Sequence, residues 1–196
     1  SLAAGDVPAS AQDLPKIVIV LADDLGAGDL RSYNPQSRIP TPHLDRLAEQ
    51  GMRFTDAHAP GSWCTPSRYG LLTGLYPSRL PRMNWQERAL IEPGQTTVAT
   101  LLQESGFTTA MVGKWHLGFD GGLDCMRPLR GGPADHGFEH FFGIHASTDI
   151  PPYFYIRDDR CVAGPTSTIE ASTSEGEVWN DIQGAFWRAG AIAPGL

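Results

Sequence analysis

The stretch Phe107-Thr-Thr-Ala-Met-Val-Gly-Lys-Trp-His-Leu-Gly118 decides the fold class of this chain. Its first half, 107–112, is apolar and β-branched enough to predict a strand. The residues before it, 96–104, repeat apolar side chains at helical spacing and stop before Gly106, which predicts a helix. A helix that leads through a short turn into a strand is typical of an α/β sheet.

The same alternation extends toward the N-terminus. Residues 16–22 form a β-branched run typical of a buried strand, and residues 53–58 predict a second strand. Helices are predicted over 41–51 and 65–74, because each begins with Thr-Pro, as cap and first-turn proline, and ends at glycine. This order of elements predicts an α/β fold with a mostly parallel (mixed) sheet flanked by helices.

Composition narrows the class of protein. With 41% hydrophobic residues the chain can bury a core. Acidic side chains outnumber basic ones by 22 to 15, for a net charge of -7, and no run of Lys or Arg marks a nucleic-acid surface. The longest apolar run, 17–22, is far too short for a membrane span. We therefore expect no nucleic-acid partner and no membrane span.

The two ends of the chain are predicted to be less regular. Residues 1–14 are small and polar, which predicts an extended leader, such as remains after a signal peptide is removed. Residues 119–196 are punctuated by glycine and proline, which predicts a loop-rich region. Because the last residues complete neither a helix nor a strand, we interpret 1–196 as an incomplete α/β domain.

The cysteines form an odd set of three, Cys64, Cys125 and Cys161. If Cys125 and Cys161 pair, Cys64 is left over in an oxidising compartment. If the protein is cytosolic, all of them are reduced thiols. The counts alone leave both interpretations open.

Two clusters of polar residues follow predicted strand ends, where α/β proteins bind ligands. Asp23 and Asp24 offer hard oxygen ligands for Ca²⁺ or Mg²⁺, although two solvated loop acids would show the same pattern. Lys114 and His116 provide a cation and an imidazole, and in an extended segment they would point the same way. A surface lysine and a structural histidine are the alternative.

A third cluster lies at a predicted helix start. Cys64 precedes the helix and Arg68 follows one turn later, so helix N–H groups and a guanidinium would attract an anion. This predicts a thiolate nucleophile or an anion site, and a buried cysteine before an ordinary capped helix is the alternative. The short spacing counts against a phosphatase-type loop. Because all three clusters fall at one predicted sheet edge, we expect them to converge.

Three motifs of the chain resemble those of type I sulfatases. Cys64-Thr-Pro-Ser-Arg68, continued by Leu72-Thr-Gly74, resembles the first family signature, and Gly113-Lys-Trp-His-Leu-Gly118 resembles the second. Asp23-Asp24 is similar to the family's metal pair. The resemblance implies an alkaline-phosphatase-like fold and identifies 1–196 as the N-terminal part of a sulfatase catalytic domain. The family's distal metal ligands, second lysine and acid histidine have no counterpart that we can place here.

The resemblance also implies the reaction, hydrolysis of an aryl or carbohydrate sulfate ester. A maturation enzyme would oxidise Cys64 to formylglycine, whose hydrate would attack sulfur and later expel sulfate. Asp23 and Asp24 would bind Ca²⁺, in preference to Mg²⁺, together with an oxygen of the modified Cys64. Arg68 would hold the nucleophile and help balance its charge.

Further residues receive roles from the same resemblance. Lys114 would bridge the nucleophile and the sulfate, and His116 would orient the nucleophile or accept its proton. Residues 142–149 resemble the segment in which family members contact substrate, so Ser147 and Asp149 are predicted substrate contacts, with a plain polar loop as the alternative. A sulfated carbohydrate is the first candidate substrate and a periplasmic or secreted location the expectation. Phosphonate or phosphate ester hydrolysis, or glycan or anion binding by an unmodified cysteine, are the competing functions.

Overall fold

The computed structural model of this protein describes residues 14–81, 83–173 and 185–196. The chain divides into two compact units. Among the described residues, 14–59 form the smaller unit, and 60–81, 83–173 and 185–196 form the larger one. Of the predicted leader, only Leu14 falls within the described residues.

The smaller unit contains one helix in its described part, α1 (Pro42–Gln50). It begins with proline in its first turn and ends at Gly51, as the sequence predicts. The Asp45 carboxylate in that turn accepts a hydrogen bond from the Ser32 N–H at 2.9 Å. The loop before the helix, which includes a 3₁₀ turn over Ala27–Asp29, is thereby tied to the helix start.

The two strands predicted in this unit, 16–22 and 53–58, are wrong, because the structure describes both segments as irregular. Val18 and Val20 are 82% and 85% exposed. A β-branched run becomes a strand only where a neighbouring strand takes up its hydrogen bonds and another layer covers it. No strand among residues 14–59 provides that pairing, so the local pattern predicted an element that depends on tertiary partners.

The larger unit contains a four-stranded mixed sheet with strand order β1-β2-β3-β4. β1 (Ala110–Lys114) is parallel to β2 (His140–Ile144). β3 (Ile156–Arg157) and β4 (Arg160–Cys161) continue the sheet in antiparallel fashion. The α/β class is therefore confirmed, with β1 placed slightly later than the predicted strand 107–112.

Helices α2 and α3 of this unit confirm two predictions. α2 (Cys64–Thr73) ends at Gly74, whose φ of 70° is the left-handed conformation that glycine adopts at helix ends. α3 (Val98–Glu104) begins after Thr97, whose hydroxyl accepts the Thr100 N–H. In the described part of the chain, no helix combines the length and apolar character that crossing a membrane requires.

The region from residue 119 onward carries short elements joined by loops. A 3₁₀ turn lies at Pro133–His136. β5 (Ser167–Ile169) pairs with β8 (Gly190–Ile192), and β6 (Ser172–Thr173) pairs with β7 (Ala185–Trp187). These pairs form two small antiparallel sheets apart from the main one.

The core of the larger unit is built around the segment that follows β1. Trp115, Leu117 and Phe119 are 1%, 0% and 4% exposed. They pack in one cluster with buried residues of other elements, including Tyr69 of α2 and Phe141 of β2. Burial of a large apolar side chain contributes roughly 1.5–3 kcal/mol. This packing therefore fixes the backbone that carries Lys114 and His116.

A disulfide joins Cys125 to Cys161, with the Cα atoms 5.3 Å apart. It connects the loop after Phe119 to β4 and spans a sequence separation of 36 residues. Cys64 is the free cysteine. The cysteine count left open either a disulfide or three reduced thiols, and the structure contains the disulfide.

The β1–β2 pair tolerates no side chain at Gly143. A Cβ there would lie 1.8 Å from the carbonyl oxygen of Gly113, the residue opposite it in the register. We expect Gly143→Ala to lower the free energy of unfolding by about 2–3 kcal/mol, because the strands must separate. Gly164→Ala is the control, since its Cβ would make an ordinary 3.4 Å contact. Urea unfolding measures both variants, and equal midpoints would contradict the prediction.

Candidate active site

Cys64 is the first residue of α2. The N-cap is Trp63, whose carbonyl accepts the Ser67 N–H at 3.2 Å, so the prediction that Thr65 caps the helix is wrong. Thr65 lies inside the first turn, 2% exposed, and its hydroxyl donates to the His116 carbonyl at 3.2 Å. The cysteine thiol is therefore placed at the positive end of a helix.

Lys114, the last residue of β1, contacts Cys64. Its Nζ lies 3.0 Å from Cys64 Sγ and 3.4 Å from Ser147 Oγ. The structure thus brings together the predicted nucleophile, a predicted cation and a predicted substrate contact. An ammonium carries three N–H donors, so Lys114 can bind an oxygen at the Cys64 position and an oxygen next to Ser147 at the same time.

Arg68 links the helix to the strand end. The side chain is 8% exposed, and its Nη1 donates to the Lys114 carbonyl at 2.6 Å. A charged donor makes this bond stronger than a neutral one. Arg68 therefore holds Lys114 next to Cys64 through the backbone, while its predicted contact with the nucleophile stays a prediction.

His116 has a left-handed backbone, with φ of 60°. The prediction of an extended segment from Lys114 to His116 is therefore wrong, and the expectation that the two side chains point the same way loses its basis. The His116 N–H donates to the His145 carbonyl at 2.9 Å. Its ring meets the Trp85 ring edge-on, with centroids 4.4 Å apart. Such contacts offset the free-energy cost of the left-handed backbone conformation, which is of order 1–3 kcal/mol.

Asp23 and Asp24 lie in the smaller unit, where both are exposed. Asp24 shares with His116 a left-handed φ of 60°. Adjacent carboxylates have the donor chemistry for Ca²⁺, which takes six to eight oxygens. Among the described residues no group of three or more His, Cys, Asp or Glu could hold a metal ion. The pair thus fits part of a coordination shell, and its convergence with Cys64 stays a prediction.

Asp149 contacts Arg188, whereas Ser147 contacts Lys114. Its carboxylate lies 3.8 Å from Nη2 of Arg188, and its carbonyl accepts the Arg188 N–H at 3.2 Å. The ion pair is partly exposed, so it contributes little to stability. The predicted role of Asp149 as a substrate contact stays a prediction.

Three residues next to the site were not predicted to belong to it. The Thr-Pro pattern indicates a helix cap at Thr65, whereas the Thr65 hydroxyl donates to the His116 carbonyl in the second motif. His145 lies two residues before Ser147, within the stretch that resembles the family's substrate segment. Trp85 lies in an irregular segment, and its sequence neighbours carry no pattern that would have indicated its contact with His116.

The family model for sulfatases matches residues 15–175. The chain belongs to the sulfatase family. This result confirms the resemblance carried by the three motifs. It also supports the alkaline-phosphatase-like fold class, because the match extends over most of the chain.

Individual sulfatases show the same relationship. An N-acetylgalactosamine-6-O-sulfatase from Bacteroides thetaiotaomicron is 41% identical over 76% of this chain and 30% of its own length. Arylsulfatase G from Rattus norvegicus is 39% identical over 86% of this chain and 31% of its own length. This sulfatase chain therefore spans about 30% of the length of these curated relatives.

A solved structure shares the fold. It comes from work on the metabolism of multiple glycosaminoglycans by Bacteroides thetaiotaomicron and is 37% identical to this sulfatase chain, with a TM-score of 0.68. The match covers 80% of this chain and 33% of the solved one. Sequence and structure therefore lead to the same family.

Two buried histidines lie close to the second motif. His136 is 2% exposed and stacks on Trp115, with ring centroids 6.1 Å apart. Burial lowers its pKa below the ordinary 6.5, and the carboxylates of Asp135 and Asp120 raise it by less. Burial also lowers the pKa of His145, and the backbone of Pro152 and Ile150 in the same loop raises it by less. Both histidines therefore favour the neutral form.

This burial predicts a loss of stability in acid. Below about pH 6.5 the unfolded histidines bind protons that the folded ones exclude, so stability present above that pH is lost as the pH falls toward the lowered pKa values. The free energy of unfolding falls by at most about 1.4 kcal/mol per pH unit for each histidine. We expect His136→Phe, which keeps a ring against Trp115, to lose less stability than wild type in urea unfolding between pH 7 and about pH 5.

His140→Phe is the matched control, because this histidine of β2 is exposed. It should follow the wild-type pH dependence. A His136→Phe profile parallel to wild type would show that His136 is not the group responsible.

Proposed function

We propose that this protein hydrolyses sulfate esters by means of a formylglycine formed from Cys64. The observation that carries the proposal is the 3.0 Å contact between Lys114 Nζ and Cys64 Sγ at the start of α2. An ammonium and a helix N-terminus next to one side chain both stabilise an oxygen anion at that position. Hydrated formylglycine would supply one hydroxyl that attacks sulfur and displaces the alcohol of the ester, and a second whose deprotonation expels sulfate as the aldehyde re-forms.

The chain's own residues bind and orient the reacting oxygens. Lys114 donates toward the oxygen on Cys64 and toward a sulfate oxygen, since it lies between Cys64 and Ser147. The Ser147 hydroxyl donates to the sulfate. Arg68 fixes the lysine backbone. These cations offset the net charge of -7, which would otherwise repel an anionic substrate.

His116 is proposed to orient the nucleophile and accept its proton. The hydrogen bond from its N–H to the His145 carbonyl and the contact with Trp85 hold the residue in one conformation. A general base works best when its position is fixed before the substrate binds. The Thr65 hydroxyl, bound to the His116 carbonyl, adds a link to the helix that carries Cys64.

Ca²⁺ is the proposed metal, and Asp23, Asp24 and an oxygen of the modified Cys64 would bind it. When bound, the ion would polarise a sulfate oxygen and balance negative charge. The hard carboxylate oxygens of the aspartate pair suit Ca²⁺, which tolerates irregular geometry better than Mg²⁺ does.

A sulfated carbohydrate is the proposed substrate, with Asp149 as a second substrate contact beside Ser147. The support is a relative named for N-acetylgalactosamine-6-O-sulfatase activity and a structural neighbour from work on glycosaminoglycans. The relative named arylsulfatase G makes a simple aryl sulfate a suitable assay substrate.

A periplasmic or secreted location and a maturation enzyme complete the proposal. The Cys125–Cys161 disulfide supports an oxidising compartment. Formation of formylglycine needs a second protein, the formylglycine-generating enzyme, as a transient partner.

The test uses the protein at the full length of its relatives, coexpressed with the maturation enzyme. We expect the intact mass to fall by about 18 Da. Turnover of N-acetylgalactosamine 6-sulfate and an aryl sulfate should exceed that of an aryl phosphonate. Cys64→Ala should reduce turnover by about three orders of magnitude or more, because the nucleophile is gone.

Two further variants sharpen this experiment. Cys64→Ser should retain the sulfate, with a mass gain of about 80 Da and no steady turnover, because its ester has no second hydroxyl to expel sulfate. Glu104→Gln, at the exposed end of α3, is the control and should match wild type. Unaltered turnover by Cys64→Ala would overturn the mechanism, and faster phosphonate cleavage would overturn the substrate class.

A further inference from the structure

We propose that a cavity bounded by Trp85, Phe119 and His145 binds the sugar ring from which the sulfate is cleaved. This inference rests on the function proposed above and assigns a place to the carbohydrate part of the substrate. The cavity has a volume of about 290 Å³, at the lower end of the range for small-molecule sites. We call it the Trp85 cavity, and its lining also includes Gln86, Leu123 and Pro152.

The Trp85 cavity borders the residues proposed to react. The Trp85 ring meets the ring of His116 edge-on, with centroids 4.4 Å apart. On another side of the cavity, His145 lies two residues before Ser147, whose hydroxyl is 3.4 Å from Lys114 Nζ. Both walls thus continue into the site, so a group bonded to a sulfate at Ser147 would extend toward the cavity.

The wall that carries Trp85 is fixed before any ligand binds. Gly118 has a φ of 83°, and a Cβ at this position would clash with the carbonyl oxygen of Trp85. Glycine therefore lets the turn at Trp85 approach the second motif closely. The Leu90 N–H donates to the Leu117 carbonyl at 2.9 Å and holds the two segments together. A preformed wall loses little conformational freedom on binding, which favours affinity.

The lining of the cavity suits a sugar ring. The rings of Trp85 and Phe119 provide apolar surface, and the Gln86 amide and the His145 imidazole provide polar groups. A pyranose has the same division, because C–H groups form its faces and hydroxyl groups form its edge. Aromatic side chains pack on apolar faces, whereas buried hydroxyls need hydrogen-bond partners. The cavity therefore suits a sugar better than a simple aryl group, which has no hydroxyl edge.

His145 provides the observation that points to a ligand. The residue is 4% exposed, and its Nε2 is buried without a hydrogen-bond partner among the described residues. Such an atom is costly, so native proteins keep it where a bound group or a function uses it. Burial lowers the pKa of His145, so the imidazole is neutral and Nε2 either donates or accepts, according to the tautomer. A sugar hydroxyl fits both tautomers, because it donates and accepts.

The first measurement compares two substrates on the full-length matured enzyme. N-acetylgalactosamine 6-sulfate carries ring hydroxyls, whereas a simple aryl sulfate carries none. We expect His145→Leu to lower kcat/KM for the sugar sulfate by about tenfold or more, as loss of a buried hydrogen bond does, and kcat/KM for the aryl sulfate by less than about threefold.

His140→Phe, at an exposed position of β2, is the control and should match wild type on both substrates. Equal losses on both substrates in His145→Leu would show that His145 only supports the fold around the site. That result would overturn the proposal, and so would unchanged turnover of the sugar sulfate.

The second measurement follows binding without turnover. N-acetylgalactosamine is titrated into the full-length protein, and NMR follows the indole N–H resonance of Trp85, assigned by its absence from Trp85→Phe. We expect a saturable shift in the millimolar range, as for other ligands of this size. The Trp187 indole should not shift, because Trp187 does not line the cavity. A Trp85 resonance that stays unchanged would overturn the proposal.

A filled cavity provides a second variant for the titration. Leu123→Trp places a larger ring in the Trp85 cavity and should abolish the saturable shift of Trp85. Leu101→Trp makes the same change at an exposed position of α3 and should leave the shift intact. A shift that persists in Leu123→Trp would contradict the assignment. If wild type cleaves no sulfate ester, the proposed function fails, while the titration still decides whether the cavity binds the sugar.

Discussion

The hydrogen bond from the Arg68 side chain to the Lys114 carbonyl is the interaction on which the candidate site depends. It joins the first turns of α2 to the end of β1, and Cys64 and Lys114, 50 residues apart, come into contact as a result. The next residue on each side, Tyr69 and Trp115, is buried in the same core. The two elements are therefore held together both by packing in the core and by the hydrogen bond of the Arg68 guanidinium in the site.

The parts of the fold that follow local rules could be predicted from the sequence. Helix α1 has its proline and glycine signals, and α3 has its apolar spacing and a glycine shortly after its end, so their approximate bounds needed no tertiary information. The strands predicted over 16–22 and 53–58 failed because a strand requires a partner, which local sequence does not specify. β1 could be predicted and also forms, because β2 supplies that partner.

The site shows the same division between local and distant causes. Cys64 and Lys114 were identified by motif, and the structure places them together. The left-handed backbone of His116 and the hydrogen bond from the Thr65 hydroxyl to the His116 carbonyl were not predictable, because the contacts of both residues are with residues distant in the sequence. Sequence motifs therefore identify the candidate reacting residues, and contacts between residues distant in the sequence determine the conformations of those residues.

The free thiol of Cys64 has a consequence for biosynthesis. Three cysteines permit three single-bridge pairings, and the observed bridge between Cys125 and Cys161 leaves Cys64 out. Either of the other two pairings would consume the residue on which the site is centred. Conversion of Cys64 to an aldehyde before the remaining cysteines are oxidised would make both wrong pairings chemically impossible. The order of the two oxidative events would then control how much of the newly made chain matures correctly.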